Sequence, residues 1–303
     1  MINVSAKPFT LRSAKARGQV LCAGATLNRI KSNDLPKGNL FDVARAAGLL
    51  AAKNAAHLIP HCHPIPLEFL NIDFQINEQG IIILAEGKTI SRTGLEMEVL
   101  TAVTVTALTL YDLLKPIDKN LEISGIRLLE KSGGKSTLNK NFPQDIAAAI
   151  LVCSDSVSEG RASDSSGKKI KEILATFSVS VTDSQIIPDE PAQIRQKITD
   201  WVKQDIPYIF ITGGTGLGPR DQTVETIQSL IEKEAPGIAE AMRAYGQERT
   251  PYAMFSRCVA GSIQNTLVIS LPGSEAGAED GLHAVLPALF HARAMLKGER
   301  HQK

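Results

Sequence analysis

Hydrophobic and polar residues follow different patterns in the two halves of the chain. In the first half, PKGNLFDVARAAGLLAAKNAAHL (36–58) carries apolar residues at helical spacing and predicts an amphipathic helix, which Pro60, Pro64 and Pro66 prevent from continuing. LNIDFQIN (70–77) then alternates with a period of two, which predicts a half-buried strand. The residues expected to face the core from the helix are Leu40, Val43, Ala47, Leu50, Asn54 and Leu58.

Three further elements complete the first half. A Glu-Gln-Gly turn at 78–80 leads into a second strand, IIILAEGKTI. Residues 95–114 predict a long helix that Pro116 ends, and ISGIRLLEK predicts a last strand. These elements predict an α+β domain over residues 1–137, followed by a polar linker at 138–146.

The second half alternates strands with helices. IAAAILVCS, PYIFIT and TLVISLPG are apolar runs suited to buried parallel strands, and SVSVTDSQII predicts a further strand. Residues 165–177 and 192–203 predict helices between them. This order predicts an α/β domain at 147–303 with three layers, in which helices cover both faces of a doubly wound sheet. Ligands of such a fold bind at the carboxyl ends of the strands.

Composition narrows the possible functions. The 303 residues carry a formal charge of only +1, which gives no reason to expect binding to nucleic acid or to an anionic membrane. The four cysteines are scattered without a CxxC pair, which argues against a disulfide framework or zinc ribbon. The chain starts without an apolar signal core, and no run approaches about 18 apolar residues, so a cytoplasmic protein is expected.

LIPHCHPIPL (58–67) places two histidines around a cysteine, three residue types that bind zinc. Taken alone, the segment is compatible with a metal site, a catalytic pocket or a stiff turn. Asp112 and Lys115, three residues apart at the end of the long helix, share a face and are compatible with an ordinary surface ion pair or with a catalytic pair. No second pair of ligands follows His61–His63 at zinc spacing, which disfavours the metal.

Several motifs of the first half together resemble one family. NVSAKPFTLRSAKARG, LPKGN, LIPHCHPIPL, RTGLEMEVLTAVTVTALTLYD and IRLLEKSGGKS, in this order and spacing, are similar to the cyclic pyranopterin monophosphate synthase family (MoaC). The resemblance implies a ferredoxin-like α+β subunit in a homo-oligomer, a hexamer or trimer of dimers. It also implies conversion of a 3′,8-cyclised dihydro-GTP to cyclic pyranopterin monophosphate with loss of diphosphate, with no metal or other cofactor needed.

The MoaC resemblance also implies site residues. Asp112 and Lys115 match the catalytic acid–base pair, and Lys37 and Lys131 match further catalytic lysines that face phosphate or purine. His63, Met97 and Glu98 also match substrate-binding residues of the family, and His61, Cys62, Lys53 and Lys135 are further candidates for substrate binding from their residue types. The sequence departs from the family pattern at Asn3, Asn39, His61 and Arg92.

A second set of motifs follows the predicted strands of the second half. SDSVSEG, IIPDEP, ITGGTGLGPRD and LPGS would all gather at one edge of the sheet, where glycines let backbone N–H groups approach an anion. Either Asp189 or Asp221 alone is also compatible with a turn or helix-cap residue. Together the set resembles the molybdopterin adenylyltransferase family (MogA/MoaB), which implies Mg²⁺- and ATP-dependent adenylylation of molybdopterin.

By this second resemblance, Asp189 and Asp221 are the catalytic carboxylates, with Asp221 the candidate Mg²⁺ ligand. The implied binding residues are Ser154, Asp155, Gly213, Gly214, Thr215, Gly216, Gly273 and Ser274. The chain is therefore predicted to be a bifunctional enzyme acting on pterin and nucleotide substrates. Two alternatives stay open: only the first half is catalytic and the second binds molybdopterin as an assembly module, or the chain is a structural scaffold.

Overall fold

The computed structural model describes residues 1–134 and 146–298, and the chain divides into two compact units, Met1–Thr137 and Leu138–Lys303. The predicted linker lies outside the described residues except for Ile146, which begins a strand. Each unit has its own hydrophobic core. The first unit contains β1 (Thr10–Leu21), α1 (Gly24–Lys31), α2 (Leu40–Lys53), α3 (Ala55–Leu58), β2 (Phe69–Ile76), β3 (Gly80–Ser91), α4 (Glu96–Leu114) and β4 (Glu122–Ser132).

The first unit is an antiparallel sheet in the order β2-β3-β1-β4, packed against α2 and α4. This order confirms the predicted ferredoxin-like α+β fold. Among the described residues, α4 alone is long and apolar enough to span a membrane by length and composition, and half of that stretch is buried within the protein. Its buried side chains, such as Val99, Val103 and Leu110, belong to the core of this unit.

The predicted core face of the first amphipathic helix is wrong. The helix begins at Leu40 rather than at 36 and ends at Lys53, and Val43, Leu50 and Leu58 are about half exposed or more (45%, 64% and 61%). The buried face consists instead of Leu40 and small residues. At Gly48 an added Cβ would lie 2.1 Å from Thr106 Oγ1, so α2 packs too closely on α4 to admit larger side chains. The small residues on the buried face are Ala44, Gly48, Ala51 and Ala52.

The hydrophobic pattern does not predict β1, because its core-facing positions carry small residues. Ala14, Ala16 and Gly18 face the core, while the alternate positions are polar. Val103 Cγ1 would lie 2.6 Å from a Cβ at Gly18, so the helix also lies close to this strand. Small core residues therefore explain both differences between pattern and structure in this unit.

The second unit contains one mixed six-stranded sheet in the order β6-β5-β7-β10-β9-β8. Strands β6, β5, β7 and β10 are parallel, β9 is antiparallel to β10, and the short β8 is antiparallel to β9. The elements are β5 (Ile146–Cys153), α5 (Asp155–Ser158), α6 (Ser166–Ala175), β6 (Val179–Ile187), α7 (Pro191–Lys203), β7 (Tyr208–Thr212), α8 (Thr223–Gln228), β8 (Lys233–Glu234), α9 (Pro236–Gln247), β9 (Ala260–Ile263), β10 (Thr266–Leu271), α10 (Glu275–Val285) and α11 (Ala292–Leu296).

Helices cover both faces of this sheet, which confirms the predicted three-layer α/β fold. Ile170, Met242 and Leu282 belong to the core on one face, whereas Ile198 and Trp201 belong to the core on the other. The antiparallel β9–β10 hairpin is the part that strand–helix alternation does not predict. Because Cys153, Ile187, Thr212 and Leu271 all end parallel strands, the loops that follow them meet at one edge.

Candidate active sites

Asp112, Lys115 and Lys37 meet near the C-terminal end of α4, and we call them the carboxyl-end cluster. Lys115 Nζ lies 2.6 Å from Asp112 Oδ1, and Lys37 Nζ lies 3.0 Å from Asp112 Oδ2. Lys37 also donates to the backbone carbonyl of Asp112 at 2.9 Å. The bonds from Lys115 and then Lys37 lower the pKa of Asp112, while Asp112 raises the pKa of Lys115. The cluster therefore presents one carboxylate and two ammonium groups at neutral pH.

A second group lies at the N-terminal end of α4, and we call it the amino-end cluster. His61, Cys62, His63, Met97 and Lys131 line one cavity of about 420 Å³ together with Glu96. Lys131 Nζ lies 3.1 Å from Glu96 Oε1, and His63 Nε2 lies 2.9 Å from the carbonyl oxygen of Ile2. The cavity thus brings together one lysine, two imidazoles and a thiol.

The buried Glu98 pairs with Cys62, which lines this cavity. Glu98 is only 3% exposed, its Oε1 accepts a hydrogen bond from the Cys62 thiol at 3.4 Å, and its Oε2 has no partner among the described residues. Burial raises the pKa of Glu98, and burial together with Glu98 raises the pKa of Cys62 to about 11. Cys62 is therefore a neutral thiol at neutral pH, whereas a metal ligand or nucleophile would be a thiolate. Within residues 1–134 and 146–298, no group of three or more His, Cys, Asp or Glu side chains could hold a metal ion.

The two clusters are far apart within one chain. Helix α4 rises about 21 Å between Glu98 and Asp112 at about 1.5 Å per residue. Lys53, at the C-terminal end of α2, is exposed and lines neither cluster, and Lys135 lies outside the described residues. The residues that the sequence assigns to one site therefore occupy two separate places on a single protomer.

Three of the four departures from the MoaC pattern serve local structure. Asn3 Oδ1 accepts hydrogen bonds from Ser5 N and Oγ, and Asn39 caps α2 by accepting from Asp42 N at 3.2 Å. Asn caps a helix about as well as Asp does. The Arg92 guanidinium lies 4.6 Å from the centre of the Phe9 ring. His61 is the departure that lines the amino-end cavity.

In the second unit, the loops at the carboxyl edge of the sheet enclose a cavity of about 450 Å³, which we call the carboxylate cavity. Asp189 is 6% exposed, and its two oxygens accept hydrogen bonds from Thr223 Oγ1 at 2.9 Å and from Gln222 N at 3.3 Å. Burial is the main reason why the pKa of Asp189 is raised. The residues of the predicted site that line this cavity are Ser154, Asp155, Asp189, Gly213, Gly214, Asp221 and Gly273.

Two further carboxylates of this cavity have polar partners. Arg220 holds Asp155 through two guanidinium nitrogens at 3.0–3.2 Å and also lies 3.1 Å from Glu190. A backbone N–H of Asp189 and then Arg220 lower the pKa of Asp155. Asp221 Oδ2 accepts from Gly218 N at 2.8 Å, which folds the loop back on itself.

The glycine loop after β7 separates the carboxylate cavity from a second one. Gly213 and Gly214 have φ values of +93° and +58°, and they line the carboxylate cavity. Thr215, Gly216 and Ser274 instead line a neighbouring cavity of about 400 Å³, which we call the α9–α10 cavity. A ligand lying across the loop would therefore occupy both.

Gly214→Ala is expected to lower the free energy of unfolding of the second unit by at least about 1–2 kcal/mol, the cost of a left-handed backbone at a residue with a Cβ. The new methyl would also lie 2.1 Å from Asp189 Oδ2. Trp201 is the only tryptophan of the chain and is fully buried in this unit, so its fluorescence during urea unfolding reports the change. Gly237→Ala is the matched control, because a Cβ there meets nothing within 4 Å. Equal midpoints for Gly214→Ala and the wild type would contradict this account.

Comparison with known proteins assigns both halves. The profile of the MoaC family matches residues 1–134, and the profile described as a probable molybdopterin binding domain matches residues 149–291. A molybdenum cofactor biosynthesis bifunctional protein of Chlorobaculum tepidum is 43% identical over 301 residues, which cover 99% of this chain and 96% of the relative. The chain belongs to the family of molybdenum cofactor biosynthesis bifunctional proteins.

Shorter relatives match one half of this bifunctional chain. A cyclic pyranopterin monophosphate synthase of Thermomicrobium roseum is 48% identical over 138 residues, 45% of this chain and 83% of the relative. The crystal structure of the molybdopterin biosynthesis enzyme MoaB from Thermus thermophilus is 39% identical, with a TM-score of 0.49, over 52% of this chain and 99% of that one. The two family profiles and the bifunctional relative confirm the resemblance of the first half to MoaC and of the second to MogA/MoaB.

Two residues of the bifunctional chain that the motifs do not identify hold parts of the carboxylate cavity in place. Arg257 donates to the carbonyl oxygens of Gly216 at 2.7 Å and Asp221 at 3.0 Å, and it also pairs with Glu225. Thr223 fixes Asp189, as described above. Thr223 can be found from the sequence, because it lies two residues after Asp221 at the end of the GGTGLGPRD motif. Arg257 lies in a segment without a motif.

Proposed function

We propose that the first half converts a 3′,8-cyclised dihydro-GTP to cyclic pyranopterin monophosphate and diphosphate, and that the second half adenylylates molybdopterin with Mg-ATP. Membership in a molybdenum cofactor biosynthesis family and the name of the synthase relative support this assignment. The observation that carries the first activity is the preformed Lys115–Asp112–Lys37 arrangement. The observation that carries the second is a glycine loop with a carboxylate-lined cavity on one side and the α9–α10 cavity on the other.

The residue types of the first unit suit the proposed reaction. Expelling diphosphate requires cations against the developing charge, and lysines supply them. Asp112 is a carboxylate and Lys115 an ammonium group, the forms in which a base accepts a proton and an acid donates one, although their ion pair lowers the pKa of Asp112 and raises that of Lys115. In the amino-end cluster, Lys131 and His63 are placed to bind phosphate or purine.

We infer that each synthase site combines the carboxyl-end cluster of one protomer with the amino-end cluster of a second. The inference rests on the separation of about 21 Å along α4, together with the division of the required residues between its two ends. A two-fold interface in which the two α4 helices run antiparallel would place the carboxyl end of one α4 beside the amino end of its partner.

Mixing two inactive variants tests the shared site. Asp112→Asn and Lys131→Met each remove one cluster, so either homo-oligomer is expected to be inactive in forming cyclic pyranopterin monophosphate. In a mixed dimer, one site combines both substitutions and the other combines none. Random co-assembly should therefore restore about one quarter of the wild-type activity. A mixture that stays inactive, although mass spectrometry shows mixed oligomers, would place both clusters in the site of a single protomer.

The charge of the carboxylate cavity supports a requirement for divalent cations in the second half. Four carboxylates line it against only two guanidinium groups, so a bare polyphosphate would be repelled. Mg²⁺ takes one or two carboxylates together with substrate phosphates and water. Asp221 fits this role, since its Oδ1 accepts no hydrogen bond within residues 1–134 and 146–298. When bound, the ion would neutralise phosphate charge. The lining charges are Asp155, Asp164, Asp189 and Asp221 against Arg161 and Arg220.

The residues of the second unit position the two substrates in this proposal. The backbone N–H groups of Gly213–Gly216 would hold a phosphate where the cavities meet. Nucleotide would occupy the carboxylate cavity, and the pterin the α9–α10 cavity with its apolar wall of Met242, Ala253 and Pro272. The alternative is that this half only binds molybdopterin. Pyrophosphate release from ATP that depends on molybdopterin distinguishes the two, because a binding module does not catalyse it.

A further inference from the structure

The α9–α10 cavity lies between α9, the turn at Pro251–Phe255 and the first half of α10. Its volume of about 400 Å³ is in the range of small-molecule sites. Within the described part of the chain, its lining contains two charged residues, Arg243 and Asp280. What each of them can offer to a ligand decides which heterocycle the cavity selects.

Arg243 is engaged with the backbone. Its Nη1 donates to the carbonyl oxygens of Ser256 at 3.4 Å and Cys258 at 3.3 Å, on the segment that follows the Pro251–Phe255 turn. These bonds hold the wall of the cavity. Asp280 is the acidic side chain of this lining and can accept hydrogen bonds from a ligand.

Asp280 is a half-buried carboxylate in the apolar wall. Its side chain is 28% exposed, and its Oδ1 lies 3.4 Å from Nε of Arg249. Burial is the main cause that raises the pKa of Asp280, whereas Arg249 lowers it. An ionised carboxylate only accepts hydrogen bonds and has about four lone-pair sites, so one ion pair leaves acceptor capacity for a ligand.

The possible ligands differ in the edge that they present to a carboxylate. A pterin has two adjacent donors, its 2-amino group and N3–H, which match the two oxygens of a carboxylate. Adenine presents a donor beside an acceptor, so it can satisfy only one oxygen. Paired parallel N–H···O bonds to an ionised group are both stronger and more specific than a single bond.

We propose that Asp280 recognises the 2-amino and N3–H edge of the pterin in the α9–α10 cavity and thereby determines which heterocycle the second unit accepts. This proposal rests on the proposed action of that unit on molybdopterin. Asp280 touches the substrate far from the atoms that react. It therefore controls pterin affinity and selectivity, while the carboxylate cavity controls adenylyl transfer.

Two small fluorescent probes test the proposal on the full chain. Lumazine-6-carboxylate differs from pterin-6-carboxylate by a carbonyl in place of the 2-amino group, which puts an acceptor against the carboxylate. Binding measured by the fluorescence of the probes is expected to favour the pterin by about 10- to 100-fold in the wild type. Asp280→Asn should lower pterin affinity by about tenfold or more and remove the preference, because an amide offers one donor and one acceptor.

Three controls keep the outcome specific. Asp280→Glu retains the carboxylate and should retain the preference, and Glu279→Gln, at the neighbouring exposed position, should bind both probes as the wild type does. Mg-ATP affinity should be the same in Asp280→Asn and the wild type. An unchanged pterin preference in Asp280→Asn overturns the role of Asp280 while the proposed function stands. Loss of Mg-ATP affinity instead would assign the cavity to adenine, and failure of the wild type to bind pterin would overturn both.

Discussion

Asp112→Asn is expected to reduce the formation of cyclic pyranopterin monophosphate by about 10²- to 10⁴-fold, the range of general acid–base catalysis. The amide keeps the size of the side chain but cannot accept a proton, and it weakens the ion pairs with Lys115 and Lys37. The measurement is product formation from the cyclised GTP substrate by the full chain. Because Asp112 is exposed and outside the core, the variant should fold normally.

Asp73→Asn is the matched control for this prediction. Asp73 is an exposed carboxylate of β2 in the same unit, hydrogen-bonded to Asn71 Nδ2, and it belongs to neither cluster. Its substitution should leave synthase activity unchanged. If Asp112→Asn were as active as Asp73→Asn, the ion triad at the end of α4 would be an ordinary surface feature and the synthase assignment of these residues would be wrong.

Asp221→Asn is expected to reduce molybdopterin-dependent adenylyl transfer by about 10²-fold or more, the effect of removing one strong electrostatic contact at a phosphate. An amide oxygen can still accept the bond from Gly218 N, so the loop should keep its fold and the loss should report the missing charge. The midpoint of Mg²⁺ dependence should move to higher concentration. Binding of molybdopterin should be retained.

The partly exposed Asp200 of α7 is the control for this experiment, since among the described residues its carboxylate accepts a hydrogen bond only from Gln196 Nε2 and it lines neither cavity. Asp200→Asn should transfer adenylyl groups at the wild-type rate. If pyrophosphate release is absent from the wild type as well, the second unit is a molybdopterin-binding module. If release is present and unaffected by Asp221→Asn, the carboxylate that handles the cation is elsewhere.

The sequence predicts which residues of the second unit come together, because all doubly wound sheets share this geometry. Loops that follow parallel strands reach one edge of a sheet, so Ser154, Asp189, Gly213 and Gly273 converge although they are far apart along the chain. What the pattern does not predict depends on three-dimensional packing. Arg257 reaches the glycine loop from a segment with no motif, and the loop divides the predicted binding residues between two cavities.

In the first unit, the hydrophobic pattern predicts the wrong buried face for α2, where the helix packs closely on α4. On α2 the larger side chains Val43 and Leu50 point outward, because Gly48 meets α4 and leaves no room for them. Sequence motifs also assign residues to a site without stating which copy of the chain supplies them. His63 and Asp112 are assigned to one site by the motifs, but in a single protomer they lie near opposite ends of α4.

In the proposed shared site, the length of helix α4 sets the distance and the angle between the two clusters. One residue inserted between Met97 and Asp112 would move one end by about 1.5 Å and turn it by about 100° relative to the other, which would face one cluster away from its partner surface. Substitutions along the outer face of α4 preserve both spacing and angle, whereas insertions and deletions preserve neither. The length of this helix is therefore under stricter constraint than its composition.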